Sequence, residues 1–220
     1  MIRDQWFVVL ESKEVRQKPV GVTRMGEKLV FWRDNSDNLN CAVDHCPHRG
    51  VALSIGKIEA DHLQCPFHGF EYDSSGRCVY IPANGRAGKI SASLKLQTYL
   101  THEAHGFIWI WWGSSPPDDL APPQFFDNID DSFVYGSKPD HWKAHYSRVI
   151  ENQLDVVHLP FVHHNTIGRG DNTVVDGPFV RWEDDKMYTY VFNRPDNGTP
   201  PRKPNELSPE DSRSVHLELI

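Results

Sequence analysis

The sequence predicts an α+β protein: an all-β domain over residues 1–115, then a second region, 116–220, that mixes helix with strand. Three observations carry that reading. From residue 6 to 113, short runs of β-branched and aromatic residues alternate with turn formers, and no helical period competes. A proline-rich polar stretch at 113–123 then breaks the pattern. Beyond it, Val149, Ile150, Leu154 and Val157 recur at helical spacing.

Taken in order, the chain opens with Trp6-Phe7-Val8-Val9-Leu10, a strand by composition. Residues 28–33 and 39–43 flank the turn-rich Asp34-Asn35-Ser36-Asp37-Asn38 and read as a hairpin. A second hairpin pairs 70–73 with 78–81 across Ser74-Ser75-Gly76-Arg77. Residues 107–112, Phe107-Ile108-Trp109-Ile110-Trp111-Trp112, are apolar without break, as expected of a strand covered on both faces. The prolines at 116, 117, 122 and 123 make a semi-rigid connector. In the second region a helix is expected at 148–157, interrupted or kinked by Pro160. A Gly-rich loop follows His164, then strand candidates at 179–182 and 187–192. The polar, proline-bearing stretch 194–213 is expected to be a mobile loop or lid, and 215–220, which alternates apolar and polar, a half-buried strand.

Composition narrows the function. Thirty acidic residues against 23 basic give a net charge of −7, and no Lys/Arg stripe exists, so nucleic acid is not the expected partner. An acidic surface suits solubility, or docking of a basic redox partner. No run of about 18 apolar residues could span a membrane. Met1-Ile2-Arg3-Asp4-Gln5-Trp6 lacks the charged and apolar regions of a secretory signal, so the chain reads as cytoplasmic. In that setting four cysteines are ligands or buried thiols rather than a disulfide framework. Cys41 and Cys78 lie in strand-like surroundings and read as packing residues.

The other two cysteines belong to two short loops, Cys46-Pro47-His48 and Cys65-Pro66-Phe67-His68, sixteen residues apart. Each offers one thiolate and one imidazole, at what His45, His62 and the prolines suggest is an exposed tip. A structural zinc site could use two Cys and two His, but zinc modules usually pair like with like as C-x2–4-C. Here each half is mixed.

The loops resemble the Rieske [2Fe–2S] motif, C-x-H…C-x2-H. The resemblance implies that Cys46 and Cys65 hold one iron, and His48 and His68 the other. Neutral imidazoles make their iron easier to reduce than thiolates do, which raises the potential of such centres. Val51 and Phe67 stand where respiratory Rieske proteins carry an additional disulfide, and Phe70 where they carry a hydrogen-bonding Ser, although Tyr72 is present. Fewer donors imply the low end of the Rieske range and the oxygenase or ferredoxin branch. Arg49 is either a charge tuning the cluster or a solvated loop residue.

A second constellation follows at Asp155, His158 and His163. Asp155 and His158, three apart, are expected to share a helix face, and the irregularity at Pro160 could swing His163 toward the same centre. Two histidines and a carboxylate suit the facial triad of a non-haem Fe(II) site, although D-x2-H-x4-H also fits unrelated polar residues on a helix. With Asn152 in place, the segment resembles the N-x2-D-x2-H-x4-H signature of the Rieske non-haem iron oxygenases. The resemblance implies that His158 and His163 are iron ligands, with His164 the competing choice. It makes Asp155 an inter-centre bridge, accepting hydrogen bonds from His158 and from the partner subunit's His68. The family's third ligand is a carboxylate more than a hundred residues beyond the second His, whereas 57 residues follow His163 here. Asp171, Asp176, Glu183 and Asp184 are candidates only in being acidic. The chain is therefore expected to be truncated, its catalytic domain incomplete and the 220-residue piece inactive alone.

The resemblance, closest to the vanillate-demethylase-like group, implies a Rieske domain followed by the N-terminal part of a helix-grip catalytic domain. It implies a terminal oxygenase that relays electrons from the cluster to Fe(II) and O2. An aromatic or similar small organic substrate would be hydroxylated or oxidatively demethylated. An NAD(P)H-dependent reductase or ferredoxin would supply electrons, and the assembly would be a homo-oligomer, a trimer. The alternatives are a Rieske-type ferredoxin that only carries electrons and a zinc-stabilised binding module.

Overall fold

The computed structural model describes residues 2–114, 116, 120, 121, 123, 132–134, 136–168, 170–183, 186–206 and 216–219. Asp184, Val215, Ile220, the connector residues 115, 117–119 and 122, and 207–213 of the polar stretch lie outside them. The chain divides into two compact units, Met1–Pro123 and Gln124–Ile220.

Among the described residues the first unit is all β apart from three single 3-10 turns. Its strands are β1 (Gln5–Glu11), β2 (Val20–Arg24), β3 (Glu27–Arg33), β4 (Leu39–Val43), β5 (Lys57–Glu59), β6 (His62–Gln64), β7 (Glu71–Tyr72), β8 (Cys78–Tyr80), β9 (Thr98–Tyr99), β10 (Thr101–Ala104) and β11 (Phe107–Trp112). They form three antiparallel sheets, ordered β1-β11-β10, β2-β3-β4-β9 and β5-β6-β7-β8. The hairpins expected from sequence are β3–β4 and β7–β8. Each is closed by an aspartate whose carboxylate accepts backbone amides: Asp34 from Ser36 and Asn38, Asp73 from Ser75 and Arg77.

Burial in β11 departs from the expectation of two covered faces. Ile108, Ile110, Trp111 and Trp112 are buried, but Phe107 and Trp109 alternate with them as half-buried residues. The start of the strand therefore alternates between a buried and a half-buried face, and only its end, Ile110–Trp112, is buried throughout. His62 is also placed differently, within β6 and half-buried, 3.3 Å from Glu71, rather than at an exposed tip.

The β2-β3-β4-β9 sheet serves two cores at once. Strand side chains alternate between faces. Val30, Trp32 and Ala42 therefore join one core with Cys46, Leu53, Leu63, Cys65, Phe70, Tyr72 and Cys78. Leu29, Phe31 and Cys41 join another with Val9, Leu10, Val15, Tyr99, Ile108 and Ile110. Cys41 and Cys78 are thus packing residues, one per core, and all four cysteines are free thiols. Burial pushes the Cys41 thiol well up, and Cys78 up to about 11, so both stay protonated.

Among the described residues the second unit holds two short α-helices, α1 (Tyr146–Leu154) and α2 (Leu159–Val162), a 3-10 turn at Pro204–Glu206, and a three-stranded antiparallel sheet, β12 (Val174–Glu183), β13 (Lys186–Arg194) and β14 (His216–Leu219), in that order. The helix break differs from the sequence reading. α1 stops at Leu154, and Asp155 is its C-cap in extended backbone (φ −84°, ψ 113°). Pro160 does not cause the break. It sits in the first turn of α2, where a missing N–H costs nothing. Asp155 and His158 therefore do not share a helix face; the turn between the helices brings them together.

The stretch after β13 is not a lid over residues 194–206. Asp176 in β12 is fully buried, and it accepts from the Arg202 amide (2.9 Å), Arg202 Nε (3.0 Å) and Arg194 Nε (3.1 Å). Arg194 also donates to the carbonyls of Thr199 and Pro200. This network ties the segment back onto the sheet. Among the described residues no helix is long and apolar enough to cross a membrane.

Candidate metal centres

The two Cys–His loops are built alike from the backbone up. In the first, which follows β4, Cys46 N–H donates to Val51 C=O (2.9 Å) and Gly50 N–H to Cys46 C=O (2.8 Å). In the second, between β6 and β7, Cys65 N–H donates to Phe70 C=O (2.8 Å) and Gly69 N–H to Cys65 C=O (3.0 Å). Each loop reverses at a glycine of left-handed backbone, φ +76° at Gly50 and +71° at Gly69. A Cβ at Gly69 would also stand 2.9 Å from Pro82 Cγ, so this loop has no room for a larger residue. The same closure is repeated although the spacings differ, C-x-H against C-x2-H.

The four side chains divide by burial. Cys46 and Cys65 are buried in the core beneath the loops, whereas His48 and His68 are exposed. The two imidazole rings lie 4.6 Å apart. Phe70 stacks flat on His48 at 4.7 Å, and Phe67 lies 4.0 Å from His68. Desolvation, then His68 and Arg49, push the His48 imidazole toward its neutral form, the form that binds a metal. Burial raises the Cys65 thiol and its neighbour Cys46 raises it further, while the amides of Phe67 and His68 favour the thiolate. A metal must overcome that burial to hold the thiolate. Tyr72 Oη is 3.2 Å from Cys46 Sγ, and burial holds the phenol well above its usual value, so it stays a donor to the sulfur.

This arrangement fits a [2Fe–2S] cluster of the Rieske type: two buried thiols on one side, two exposed imidazoles on the other, and a donor aimed at one thiol. The Tyr72 contact makes a testable difference. Tyr72→Phe should remove about 1 kcal/mol of preference for the reduced cluster, roughly 40 mV lower for a one-electron couple, read by redox titration followed by EPR.

In the second unit the loop after α1 assembles the other predicted residues. Asp155 Oδ1 accepts the Val157 amide at 2.8 Å, an Asx-turn that reverses the chain. Oδ2 then lies 3.2 Å from His158 Nδ1. His158 Nδ1 is otherwise a buried atom without a partner. The Val157 amide, with His158 assisting, holds the Asp155 carboxyl below the usual range. The His163 ring lies 5.3 Å from that of His158, edge to face. His164 is engaged elsewhere, with Nδ1 3.0 Å from the Phe161 carbonyl. The pair that faces itself is therefore His158 and His163, which fits two donors of a mononuclear iron.

None of the described acidic candidates completes that pair. Asp176 is buried beneath two arginines, and Glu183 is paired with Arg181 at 3.0 Å. Asp171 is an exposed loop residue, and among the described residues no three His, Cys, Asp or Glu side chains gather at one point. Sequence reasoning missed Asn193 of β13, whose amide approaches the carbonyls of Val156 (3.5 Å) and Asn172 (3.4 Å) and so flanks the Asp155–His158 turn. Only tertiary structure brings it there, 37 residues from Val156.

Comparison with known proteins matches one domain family to each half of the chain. The Rieske [2Fe–2S] domain family matches residues 5–99, and the vanillate O-demethylase oxygenase C-terminal domain family matches 142–218. The oxygenase component of dicamba O-demethylase from Stenotrophomonas maltophilia is 32% identical over 163 residues, 74% of this chain and 48% of that protein. A vanillate O-demethylase oxygenase subunit from a Pseudomonas species is 29% identical over 171 residues, 76% of this chain and 46% of that one. The chain thus spans about half the length of these curated relatives. Dicamba monooxygenase bound to dicamba, a solved structure, superposes with a TM-score of 0.72 at 28% identity, over 88% of this chain and 58% of that one.

Proposed function

The chain carries a Rieske domain followed by a vanillate-demethylase-type oxygenase domain and so belongs with the Rieske oxygenases, and on that premise we propose that its protein is the terminal oxygenase component of a multi-component system. Cys46 and Cys65 hold one iron of the cluster, His48 and His68 the other, and His158 and His163 bind a mononuclear Fe(II). When bound, the cluster supplies single electrons and the Fe(II) activates O2. The chain's own residues set up that chemistry. Tyr72 donates to Cys46, Phe70 and Phe67 fix the planes of the two histidines, and Asp155 orients His158 while its exposed carboxylate accepts from the partner subunit's His68 as well.

The substrate class is a small aromatic molecule that is hydroxylated or loses a methyl group. Its support is that the named relatives are O-demethylases of dicamba and vanillate. An NAD(P)H-dependent reductase or a ferredoxin delivers the electrons. A trimer lets Asp155 of one subunit reach the cluster of the next, and a cytoplasmic setting suits the unbridged thiols Cys41 and Cys78.

One observation carries the reading over that of a pure electron carrier: the facing pair His158 and His163 with Asp155 beside it, in a domain the cluster does not require. Iron and sulfide analysis with EPR of the reduced protein tests it. The expected result is a Rieske signal, and additional iron that forms a nitric oxide complex and is lost in His163→Ala. Zinc in place of iron would sink the reading. A Rieske signal with no mononuclear iron, even in the longest natural form of the protein, would reduce it to an electron carrier.

A further inference from the structure

We propose that Gly168 is the positioning residue of His163: its close contact with the backbone at the start of α2, which only a glycine permits, directs that imidazole toward His158. The proposal rests on the assignment of His158 and His163 to one iron, and deepens it by naming what holds the pair before a metal arrives.

The two histidines sit at the ends of α2, His158 as its N-cap and His163 as its C-cap. A helix of four residues is too short to hold itself in water, so its caps must be fixed from outside. His163 is fixed through both of its backbone groups. Its N–H donates to Leu159 C=O (3.0 Å), and its C=O accepts from Gly168 N–H (3.0 Å), Thr166 N–H (2.9 Å) and Thr166 Oγ1 (3.3 Å). The chain thus leaves His163, turns, and comes back to it at Gly168.

That return ends against α2. A Cβ at Gly168 would stand 1.8 Å from the Leu159 carbonyl oxygen, 2.4 Å from its carbon and 3.0 Å from Pro160 N. The Leu159 carbonyl is therefore the point of convergence, receiving the His163 N–H and bearing the backbone of Gly168. These three nearest atoms are all main chain, so no side-chain rotation makes room. A methyl group at Gly168 must part the two segments until 1.8 Å becomes at least 3.0 Å. That either tips the Leu159 carbonyl away from His163 N–H or draws Gly168 N–H off His163 C=O. In both cases the imidazole turns with its backbone and loses its edge-to-face approach to His158, now 5.3 Å between rings. A shift of about 1 Å is costly where groups must converge on one centre. Asn193 adds a second restraint at the neck of the segment. Its amide lies 3.5 Å from Val156 C=O and 3.4 Å from Asn172 C=O, on either side of the two histidines.

The test uses the longest natural form of the protein, with Fe(II) as the probe. Fe(II) titration in the presence of nitric oxide, read by EPR, gives both the affinity of the mononuclear site and the symmetry of its nitrosyl signal. Gly168→Ala should lower that affinity about tenfold and change the rhombicity of the signal. Its Rieske signal and the amide protection of β12 and β13 should stay as in wild type. Asn193→Leu, which keeps the bulk and removes the donor, should lower the affinity about threefold. A wild-type affinity or a wild-type nitrosyl signal in folded Gly168→Ala would overturn the proposal. Should that variant not fold, hydrogen exchange in the iron-free wild type decides. The His163 and Gly168 amides should exchange at least about tenfold more slowly than unstructured ones, and exchange at the unstructured rate would overturn the proposal. Absence of any nitrosyl complex in the wild type would instead overturn the iron assignment beneath it.

Discussion

Asp155→Ala is expected to slow electron delivery to the mononuclear iron about 100-fold while both metals stay bound. Oδ1 accepts the Val157 amide, Oδ2 lies 3.2 Å from His158 Nδ1, and the side chain is 47% exposed, which leaves it accessible to the second imidazole proposed above. Its pKa is held down by the Val157 amide and by His158, so it is charged at neutral pH. Stopped-flow reoxidation of the reduced cluster, with O2 and substrate present, is the measurement. Asp155→Asn keeps an acceptor for the Val157 amide and so preserves the turn. A comparable loss in that variant would separate the missing charge from a distorted loop. Full turnover in either variant would end the bridge assignment, and loss of mononuclear iron would make Asp155 a support for His158 alone.

The second large effect is on stability. Asp176→Ala should destabilise the second unit by about 3 kcal/mol, since it strands two guanidinium groups against a buried site. The usual cost of breaking a buried pair is discounted toward the low end because Arg202 is 41% and Arg194 22% exposed and can rehydrate. Burial alone would raise the Asp176 carboxyl, but the Arg202 amide and the Arg194 and Arg202 guanidinium groups outweigh it and lower it. A group depressed in the folded state stabilises above its unfolded value, about pH 4, and that contribution fades as pH falls through the lower folded value. Urea midpoints should therefore fall more steeply in wild type than in Asp176→Ala as pH is taken from 5 to 2. Parallel curves would show that the carboxylate is not the origin.

What could be read from sequence followed the range of the interactions involved. The two hairpins were legible because Asp34 and Asp73 close their own turns within four residues. The loops were legible because a thiol and an imidazole so close together have few uses. Strands β5, β6 and β9 were not, being two or three residues long and held by partners rather than by pattern. At 148–157 the apolar period runs past the true end of α1, because the Asp155 side chain competes for the backbone there and periodicity does not register that competition. The choice between His163 and His164 depended on which ring turns to His158, a question of three dimensions. The polar stretch after β13 looked mobile by composition, and a buried carboxylate 26 residues before Arg202 decided otherwise.

The strands β3 and β4 form a party wall. Val30, Trp32 and Ala42 face the room that houses the cluster loops, while Leu29, Phe31 and Cys41 furnish the room next door. Because neighbours along a strand point opposite ways, a slip of one residue would not merely loosen one room but exchange the contents of both. The cluster's surroundings and the outer core therefore share one alignment. Changes that drift through the outer core are constrained by a metal centre they never touch.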